Sequence, residues 1–462
     1  MKRIYTYIIH TCLVIATLAG CKPHYPEIEY NGDPSKVEFE NIETPVAIKV
    51  AISDPLYESY TRGIGAFEQV KDGATGDDRW KSADIYVYAF YSYNGLKSSP
   101  NELNYVERMN SNDEEDYFCL VDDTDDENIG HGKRARISRD RDSFLPWIHD
   151  DNKVYYSRKY PQYRYKFFAY HIDDAADMTK EPNRNKDHVS YDICIDGTQD
   201  LMCACADTTA AQIARLTSIG NKHIVNNIKA LAYSTETGFR ELHPVFDMEH
   251  QLALVKFYVK TDSALNAEGI MEMDPEAENV HVKNIIITTP YQGKFIVAAD
   301  DTSRLGVSFT KEMKQLYIPV KVKVGEDGAP LLDAQGRRIT VTRHEEGKLM
   351  AGDANGFNPY IQPKRGEREV GMGFLLPPSD NYDLQLEYCQ VTTNEHGVQE
   401  ERHYMAEYEL RLNKGSFKAG QKYEVSIKVY GPRRIDLGLG DITWKNGGDI
   451  PVDGEEGDNG GF

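Results

Sequence analysis

The residue with the most specific chemistry in this sequence is Cys21, whose thiol ends a short apolar run. Leu18-Ala19-Gly20-Cys21 fits the bacterial lipobox pattern, in which small side chains suit a signal peptidase and the thiol accepts diacylglycerol. Residues 8–20 are too few for a membrane-spanning helix, which needs about 20 apolar residues. We therefore expect residues 1–20 to be a lipoprotein signal peptide and Cys21 to carry lipid. The alternative is an ordinary secretion signal that ends near a cysteine.

Lipid on Cys21 would hold the mature chain on a membrane, because each buried CH₂ contributes about 0.8 kcal/mol and two or more chains give stable anchoring. The rest of the chain is acidic, since 74 Asp and Glu residues against 53 Lys and Arg residues give a net charge of −21 at pH 7. Such a charge opposes binding to nucleic acid and to anionic lipid heads. We expect no nucleic-acid partner.

Cysteine usage argues against a disulfide framework. The sequence has seven cysteines. Once Cys12 leaves with the signal and Cys21 is lipidated, an odd number remains, namely Cys119, Cys194, Cys203, Cys205 and Cys389. The stability of the protein must therefore come from a buried core, which a chain of 462 residues can supply.

Familiar catalytic motifs do not occur in the sequence, which holds no HExxH, glycine-rich phosphate loop, GxSxG elbow or dinucleotide fingerprint. Cys203 and Cys205 could bind zinc with His171 or His250, but a one-residue gap is unusual for a metal site, and buried apolar thiols are the simpler interpretation. His250 has no nucleophile motif beside it, which favours a structural hydrogen bond. The many carboxylates neither single out nor exclude a glycosidase pair. We predict a protein that is not an enzyme and has no cofactor and no metal site.

Most of the chain has the pattern of β-strands. Segments rich in Tyr, Val, Ile and Phe alternate with Gly, Pro, Asn and Asp clusters, and several show the period of two that places one face in a core. The clearest are residues 46–52, 84–91, 163–170, 252–259, 282–288, 316–322, 382–388 and 423–430. One short helix is predicted at residues 208–218. The pattern predicts an all-β protein built from antiparallel β-sandwiches.

The length of the chain suggests two such sandwiches in tandem. We place a tether at residues 21–43, an N-terminal domain at 44–242, a C-terminal domain at 243–447 and an acidic disordered tail at 448–462. A charged insertion interrupts the first domain, because residues 113–127 hold nine acidic side chains and residues 133–141 are basic. A solvated loop is the simpler interpretation, since the acidic run lacks the glycine and distal Glu of an EF-hand calcium site.

Four segments together resemble the fimbrillins, the lipoprotein-precursor subunits of type V pili in Bacteroidota. Residues 84–91 (DIYVYAFY) are similar to an early core strand of that family, and residues 196–202 (DGTQDLM) to a short segment common in it. Residues 245–253 (VFDMEHQLA) resemble a strand with an F…HxL pattern. Residues 419–423 (AGQKY), followed by residues 442–448 (ITWKNGG), resemble the C-terminal ending.

The resemblance implies two transthyretin-like β-sandwiches in a subunit that reaches the outer membrane as a surface-exposed lipoprotein. In that family an arginine-specific protease removes the anchor with the first strand, and a strand from the C-terminal region of another subunit fills the groove. The implied partners are other pilus subunits, the outer membrane, the protease, and host or bacterial surface ligands for adhesion. After processing, such a subunit belongs to a fimbrium.

Carried onto this chain, the resemblance assigns three sets of residues. The displaced strand is Val46, Ile48, Val50 and Ile52. The candidate cleavage site is Arg62 followed by Gly63, in a loop where a protease can bind extended chain; an ordinary loop arginine is the alternative. The donor strand lies in residues 434–444 and presents Ile435, Leu437 and Leu439 on one face.

Three other functions stay open at this point. A surface lipoprotein could bind glycans or peptides without polymerising, which would require exposed aromatic side chains. Trp80 and Trp147 are the candidates, but core positions are the simpler interpretation for such large rings. A permanent anchor or accessory subunit of the same pilus would keep Arg62 uncut. A surface hydrolase would use a carboxylate pair that the sequence does not reveal.

Overall fold

A computed structural model of the chain describes most of the segments in which strands were predicted. The described residues are 44–51, 69–71, 78–80, 84–92, 131–136, 145, 147, 154–156, 164–172, 182–184, 188–206, 214, 233–239, 242–261, 263–265, 271–273, 280–299, 301–333, 336, 338–341, 345, 347–354, 368–412, 414–431 and 434–441.

The described residues form strands almost throughout. In chain order the first half holds β1 (Lys49–Ala51), β2 (Gln69–Lys71), β3 (Asp78–Trp80), β4 (Asp84–Ser92), β5 (Lys133–Arg136), β6 (Arg164–Ile172), β7 (Asn183–Arg184), β8 (His188–Cys194), β9 (Leu201–Cys205), β10 (Val245–Asp247), β11 (Glu249–His250), β12 (Ala253–Thr261) and β13 (Ser263–Leu265).

The remaining strands are β14 (Met271–Met273), β15 (Val280–Pro290), β16 (Gln292–Ala299), β17 (Gly306–Phe309), β18 (Met313–Tyr317), β19 (Val320–Val322), β20 (Lys348–Met350), β21 (Arg368–Leu376), β22 (Asn381–Thr393), β23 (Gln399–Arg411), β24 (Lys422–Gly431) and β25 (Arg434–Asp441). A five-residue helix, α1, spans Thr235–Phe239, and a 3₁₀ turn spans Thr302–Arg304. The all-β fold predicted from the alternating pattern is confirmed. None of the helices among the described residues is long and apolar enough to cross a membrane.

The second half of the chain builds a β-sandwich from two four-stranded sheets. One sheet has the order β21-β12-β24-β25 and the other the order β18-β15-β22-β23. Alternate side chains of both sheets, such as Phe257, Ile287 and Leu384, face one another in a buried cluster that we call the C-terminal core. Most neighbouring strands are antiparallel, as predicted, but β12 and β24 run parallel. Period-two patterning fixes the buried face of a strand and leaves its direction open, so sequence alone did not reveal this pair.

The first half is organised around a five-stranded sheet with the order β11-β9-β6-β4-β5, which is covered on both faces. Ile85, Val87 and Ala89 of β4 lie in one buried cluster, the first-strand core. The intervening Tyr88 and Phe90 lie in another, the central core. This alternation follows from the period of two, because successive side chains of a strand point to opposite faces.

The central core joins the two halves of the chain. A second sheet, with the order β17-β16-β8-β7, covers it, and β16 pairs with β8 from Gln292↔Cys194 to Ala299↔His188. Leu254 and Leu375, from the second half, lie in the same cluster as Tyr88. Hydrogen-bonded sheet therefore crosses the predicted boundary near residue 242. The division into domains 44–242 and 243–447 stays a prediction.

Several predicted features lie outside the described residues. These are residues 1–43 with Cys21, Ile52, Arg62 with Gly63, the acidic run at 113–127, the tail at 448–462, and residues 208–218 except for Ala214, which is helical. The basic run is described as far as β5, an edge strand of the five-stranded sheet.

Candidate functional site: the first strand and its slot

Residues 44–51 form an extended segment whose residues 44–48 lie mostly in the interior of the fold. Val46 is 3% exposed and Ile48 is fully buried, and both belong to the first-strand core. Val50 is partly buried and packs against the same cluster. The alternation of Val46, Ile48 and Val50 therefore places three predicted side chains of the displaced strand on one apolar face. We call this segment the first strand and the groove that holds it the slot.

One edge of the first strand is hydrogen-bonded to residues 145–156. The Val46 amide donates to the Val154 carbonyl (2.7 Å), and the Tyr156 amide donates to the Thr44 carbonyl (2.9 Å). Further along, the Leu145 amide donates to the Ile48 carbonyl at 3.0 Å. An antiparallel bridge between Pro45 and Tyr155 completes this edge.

The other edge pairs with a strand from far along the sequence. β1 runs parallel to β10, with Lys49 opposite Val245 and Ala51 opposite Asp247. The Lys49 amide also donates to the Pro244 carbonyl at 2.9 Å. The first strand therefore has a hydrogen-bonded neighbour on each side, and removing it would leave two rows of backbone groups unpaired.

Trp147 adds a side-chain contact at the same place. Its indole Nε1–H donates to the Val46 carbonyl at 3.1 Å, while its partly buried ring packs against the first-strand core. The sequence interpretation placed Trp147 in a core, but gave no sign of this hydrogen bond. The residues around Trp147 show no strand pattern, so the sequence could not predict which carbonyl its indole would contact.

Aromatic rings form the floor of the slot. Tyr156 and Tyr165 pack with their centroids 5.6 Å apart, and Phe167 meets Tyr233 edge-on at 5.7 Å. Burial, followed by the neighbouring Tyr233 and Tyr165 hydroxyls, raises the pKa of Tyr156 well above 10.0, so this phenol stays protonated. The hydroxyl of Tyr156 has no hydrogen-bond partner among the described residues.

α1 closes one end of the slot through a glycine. A Cβ atom at Gly238 would lie 2.6 Å from Tyr156 Cε2 and 2.8 Å from Thr44 Cγ2. Since real Cβ atoms do not approach so closely, the absence of a side chain lets the helix backbone rest on the first strand. Sequence analysis missed Gly238, because glycine in a short segment is most simply interpreted as part of a turn.

The predicted donor strand is held in its own sandwich. β25 is the edge strand beside β24, with Leu437 opposite Ile427 and Ile435 opposite Val429. Leu437 is 7% exposed and belongs to the C-terminal core. Leu439 lies opposite Val425 in the same ladder. The structure therefore does not bring the donor residues to the slot of the same chain.

Two of the segments that resembled fimbrillins meet elsewhere in the fold. His250 Nδ1 lies 2.9 Å from Asp200 Oδ1, and Asp200 is 1% exposed. Asp196 accepts hydrogen bonds from the Thr198 amide and hydroxyl, and the Gly197 carbonyl accepts from the Leu375 amide at 2.9 Å. His250 is thus a structural hydrogen-bonding group, as the sequence indicated, and the turn at residues 196–200 joins the two halves of the chain.

The paired thiols of β9 are also structural. Cys203 lies in the central core, and Cys205 packs against it. Burial, followed by the charge of Glu249, raises the pKa of the Cys203 thiol from 9.0 to about 12. A thiol that stays protonated at neutral pH is a poor nucleophile and a poor metal ligand.

Comparison with known proteins gives matches among solved structures alone. No protein-family model matches the chain, and no curated protein matches its sequence. A candidate cell adhesion protein from Bacteroides fragilis is similar at 11% identity and a TM-score of 0.30, over 87% of this chain and 99% of that one. A candidate cell adhesion protein from Bacteroides eggerthii is similar at 8% identity and a TM-score of 0.33, over 87% and 96%. The fimbrial anchor protein Mfa2 from Porphyromonas gingivalis is similar at 10% identity and a TM-score of 0.27, over 87% and 99%.

These solved structures belong to adhesion and fimbrial proteins of Bacteroidales, the class of protein that the sequence resemblance indicated. All three TM-scores lie below 0.5. The function of this chain is therefore inferred from its own contacts.

Proposed function

We propose that this chain is a structural subunit of a cell-surface pilus, exported as a lipoprotein on Cys21 and assembled by exchange of the first strand for a strand of another subunit. The observation that carries the proposal is the position of the first strand, which has hydrogen-bonded neighbours on both sides and buries Val46, Ala47 and Ile48 although it comes early in the chain. The buried aromatic floor gives the slot a shape that an apolar strand can fill.

The physical consequence of removing the first strand supports this proposal. The slot would lose partners for the Val154 and Pro244 carbonyls, the Leu145 and Tyr156 amides and the Trp147 indole. A buried polar group without a hydrogen bond destabilises a protein by about 1–3 kcal/mol. Strand addition satisfies such groups, and alternate side chains filling pockets fix its register. A cut subunit would therefore bind a replacement strand strongly.

In this proposal the lipid on Cys21 keeps the precursor at the outer membrane, and the uncut first strand blocks early assembly. An arginine-specific protease would cut at Arg62, so that the new chain begins at Gly63. The donor would be β25 of a neighbouring subunit. The partners of this chain would then be other pilus subunits, and surface ligands would be the targets of adhesion. The role of the chain would be structural rather than catalytic.

The test compares the wild-type chain with Arg62→Ala and Arg62→Lys in cells that carry the protease. We expect SDS-resistant ladders from the wild type and lipid-bound monomer from both variants. Arg62→Lys is the matched control, because it keeps the positive charge and removes only the arginine side chain that the protease would recognise. Ladders from either variant would rule out Arg62 as the cleavage site.

A second function is favoured by the position of β25. Because β25 is paired along β24 and Leu437 is buried in its own sandwich, donating this strand requires opening the C-terminal core. An anchor or accessory subunit would not need to donate it and would keep its lipid. Mass spectrometry of the amino terminus of surface-exposed protein separates the two functions: lipidated Cys21 indicates the anchor, and a start at Gly63 indicates the polymer subunit.

A further inference from the structure

β23 is a long edge strand that the first-strand slot does not involve. It spans 13 residues, Gln399–Arg411, and among the described strands it pairs with β22 alone. Its odd-numbered residues from Glu401 to Arg411 are exposed, and Met405 is 57% exposed. Tyr404, Ala406 and Tyr408 point the other way and pack against the C-terminal core.

β23 lacks the features that usually prevent an edge strand from pairing. Its ladder with β22 is continuous from Asn381↔Arg411 to Thr393↔Gln399 without a register shift, whereas the β15–β22 ladder shifts between Val282 and Asn284. Proline, bulges and short length are the common protections of an edge, and β23 has none of them. Its remaining protection is charge, so the order of its charges decides what can pair with it.

Symmetry restricts how two copies of β23 could pair. Two identical antiparallel neighbours are related by a two-fold axis perpendicular to their sheet. That axis places an exposed residue opposite an exposed residue, because directly opposed side chains lie on the same face. Pairing is longest with the axis at Met405, the middle of the strand, or one residue to either side.

The charges select one of these three registers. With the axis at Met405, Glu401 lies opposite Glu409 of the other copy, and with the axis at Tyr404 it lies opposite Glu407. Like charges directly opposite destabilise a strand pair. With the axis at Ala406, Glu401 lies opposite Arg411.

The same register places no like charges opposite each other among the other exposed side chains, since Met405 lies opposite Glu407. It sets His403 opposite Glu409, and on the inner face it sets Tyr404 opposite Tyr408. Because of the two-fold axis, each of these contacts occurs twice. Aromatic pairs such as Tyr404–Tyr408 and opposite-charge pairs such as Glu401–Arg411 stabilise neighbouring strands.

We propose that β23 pairs with β23 of a second copy of this chain, antiparallel and with Ala406 on the two-fold axis. The β18-β15-β22-β23 sheets of the two copies then form one continuous sheet. This interface is separate from the slot at residues 44–51, and it needs neither proteolysis nor lipid.

Sedimentation velocity of the full-length, uncut chain tests the pairing. We expect a concentration-dependent dimer for the wild type. Arg411→Glu places like charges opposite each other at two sites and should weaken the dimer by about tenfold or more. The double variant Glu401→Arg/Arg411→Glu restores opposite charges between copies and should recover the dimer.

The double variant is the matched control, because Arg411 also contacts Glu409 within its own chain, at 2.6 Å. That contact is lost in the single and the double variant alike. The double variant also loses the contact of Glu401 with Lys283 in its own chain, at 3.4 Å, so a dimer that recovers despite this loss is held by the contact between copies. A wild-type chain that sediments as a monomer, or a double variant as weak as Arg411→Glu, overturns the proposal.

Cysteine cross-linking tests the register. Ala406→Cys brings two thiols together on the axis, within the Cα separation of about 4.4–6.8 Å that a disulfide spans. Under mild oxidation it should give a covalent dimer on non-reducing gels. Val398→Cys, in the hairpin loop before β23 and away from the axis, should not, and the unmodified chain with its own cysteines sets the background. Equal cross-linking of both variants, or none by Ala406→Cys, excludes this register.

Discussion

At the scale of single residues, the first strand depends on two aliphatic side chains and one indole. Ile48 is fully buried and Val46 nearly so, whereas Val50 is partly buried. Sequence periodicity predicted this apolar face, because alternating residues of a strand share one side. It did not predict Trp147 or Gly238, since the contacts of both residues depend on chain that returns from distant positions.

Ile48→Ala should strongly destabilise the part of the protein that holds the slot. Shortening a fully buried isoleucine to alanine removes apolar burial and leaves a cavity, which typically lowers the free energy of unfolding by about 2–5 kcal/mol. Differential scanning calorimetry should show a clearly lower melting temperature. Val398→Ala, at a site that is 56% exposed, is the control and should change stability by less than about 0.5 kcal/mol. Equal melting temperatures for the two variants would mean that Ile48 is not buried in solution.

The thiol of Cys203 should resist alkylation in the native protein. Burial raises its pKa from 9.0 to about 12, so at pH 8.5 the reactive thiolate is scarce and the sulfur is shielded. Iodoacetamide labelling followed by mass spectrometry should modify the exposed Cys194 before Cys203. Cys203 should react only after denaturation.

The raised pKa of Cys203 also predicts that the protein loses stability at alkaline pH. The folded state keeps the thiol proton above pH 9, where the unfolded state releases it. The contribution of this group is therefore fully present below pH 9 and is lost as the pH rises towards 12. A Cys203→Ala variant that retains the same alkaline loss of stability as the wild type would contradict this assignment.

At the scale of secondary-structure elements, the sequence predicted strands far better than their partners. The runs at residues 84–91 and 423–430 lie in the observed strands β4 and β24, and the run at 252–259 lies in β12 apart from its first residue. The parallel pairing of β12 with β24 and of β1 with β10 was not predicted. Period two identifies which face is buried, but the choice of neighbour depends on the whole chain, and β10 is too short to show a pattern.

The slot should accept its own strand as a separate peptide. A chain beginning at residue 52 lacks the first strand and should expose apolar surface, which binding of a dye such as ANS would report. Adding a peptide of residues 44–51 should reverse that signal, because it restores both hydrogen-bonded edges. The same peptide with Ile48→Asp is the control and should not bind, since it would bury a charge. Full dye exclusion without any peptide would show that the slot closes on its own.

Gly238→Val should weaken the contact between α1 and the first strand. The added side chain would collide with Tyr156 and Thr44, and overpacking of this kind typically destabilises a protein by about 1–3 kcal/mol. Hydrogen–deuterium exchange should become faster at the amides of Val46 and Tyr156. Unchanged exchange at these amides would argue that α1 does not rest on the strand.

At the scale of the whole molecule, the central core contains residues from both halves of the chain. Strand β16 comes after the predicted boundary, yet its buried Phe295 and Val297 share a cluster with Tyr88 and Phe168 from before it. The β8–β16 ladder adds backbone hydrogen bonds to this contact. Composition and length predict two tandem units. Neither quantity records pairing between distant strands, so a ladder such as β8–β16 could not be predicted from them.

Separating the chain at the predicted boundary should therefore leave incomplete pieces. We expect residues 243–447 expressed alone to expose the edge of β16 that pairs with β8, together with its central-core side chains Phe295 and Val297, and so to aggregate or to bind ANS. Residues 44–242 should lose the cover of their central core. Co-expression of the two fragments should yield a soluble complex, because the missing ladder and cluster can re-form between chains.

Chemical denaturation of the intact chain should show overlapping unfolding transitions for the two halves. Two fragments that are each soluble, monomeric and cooperatively folded would show instead that the halves are independent domains and that the β8–β16 ladder is a minor contact.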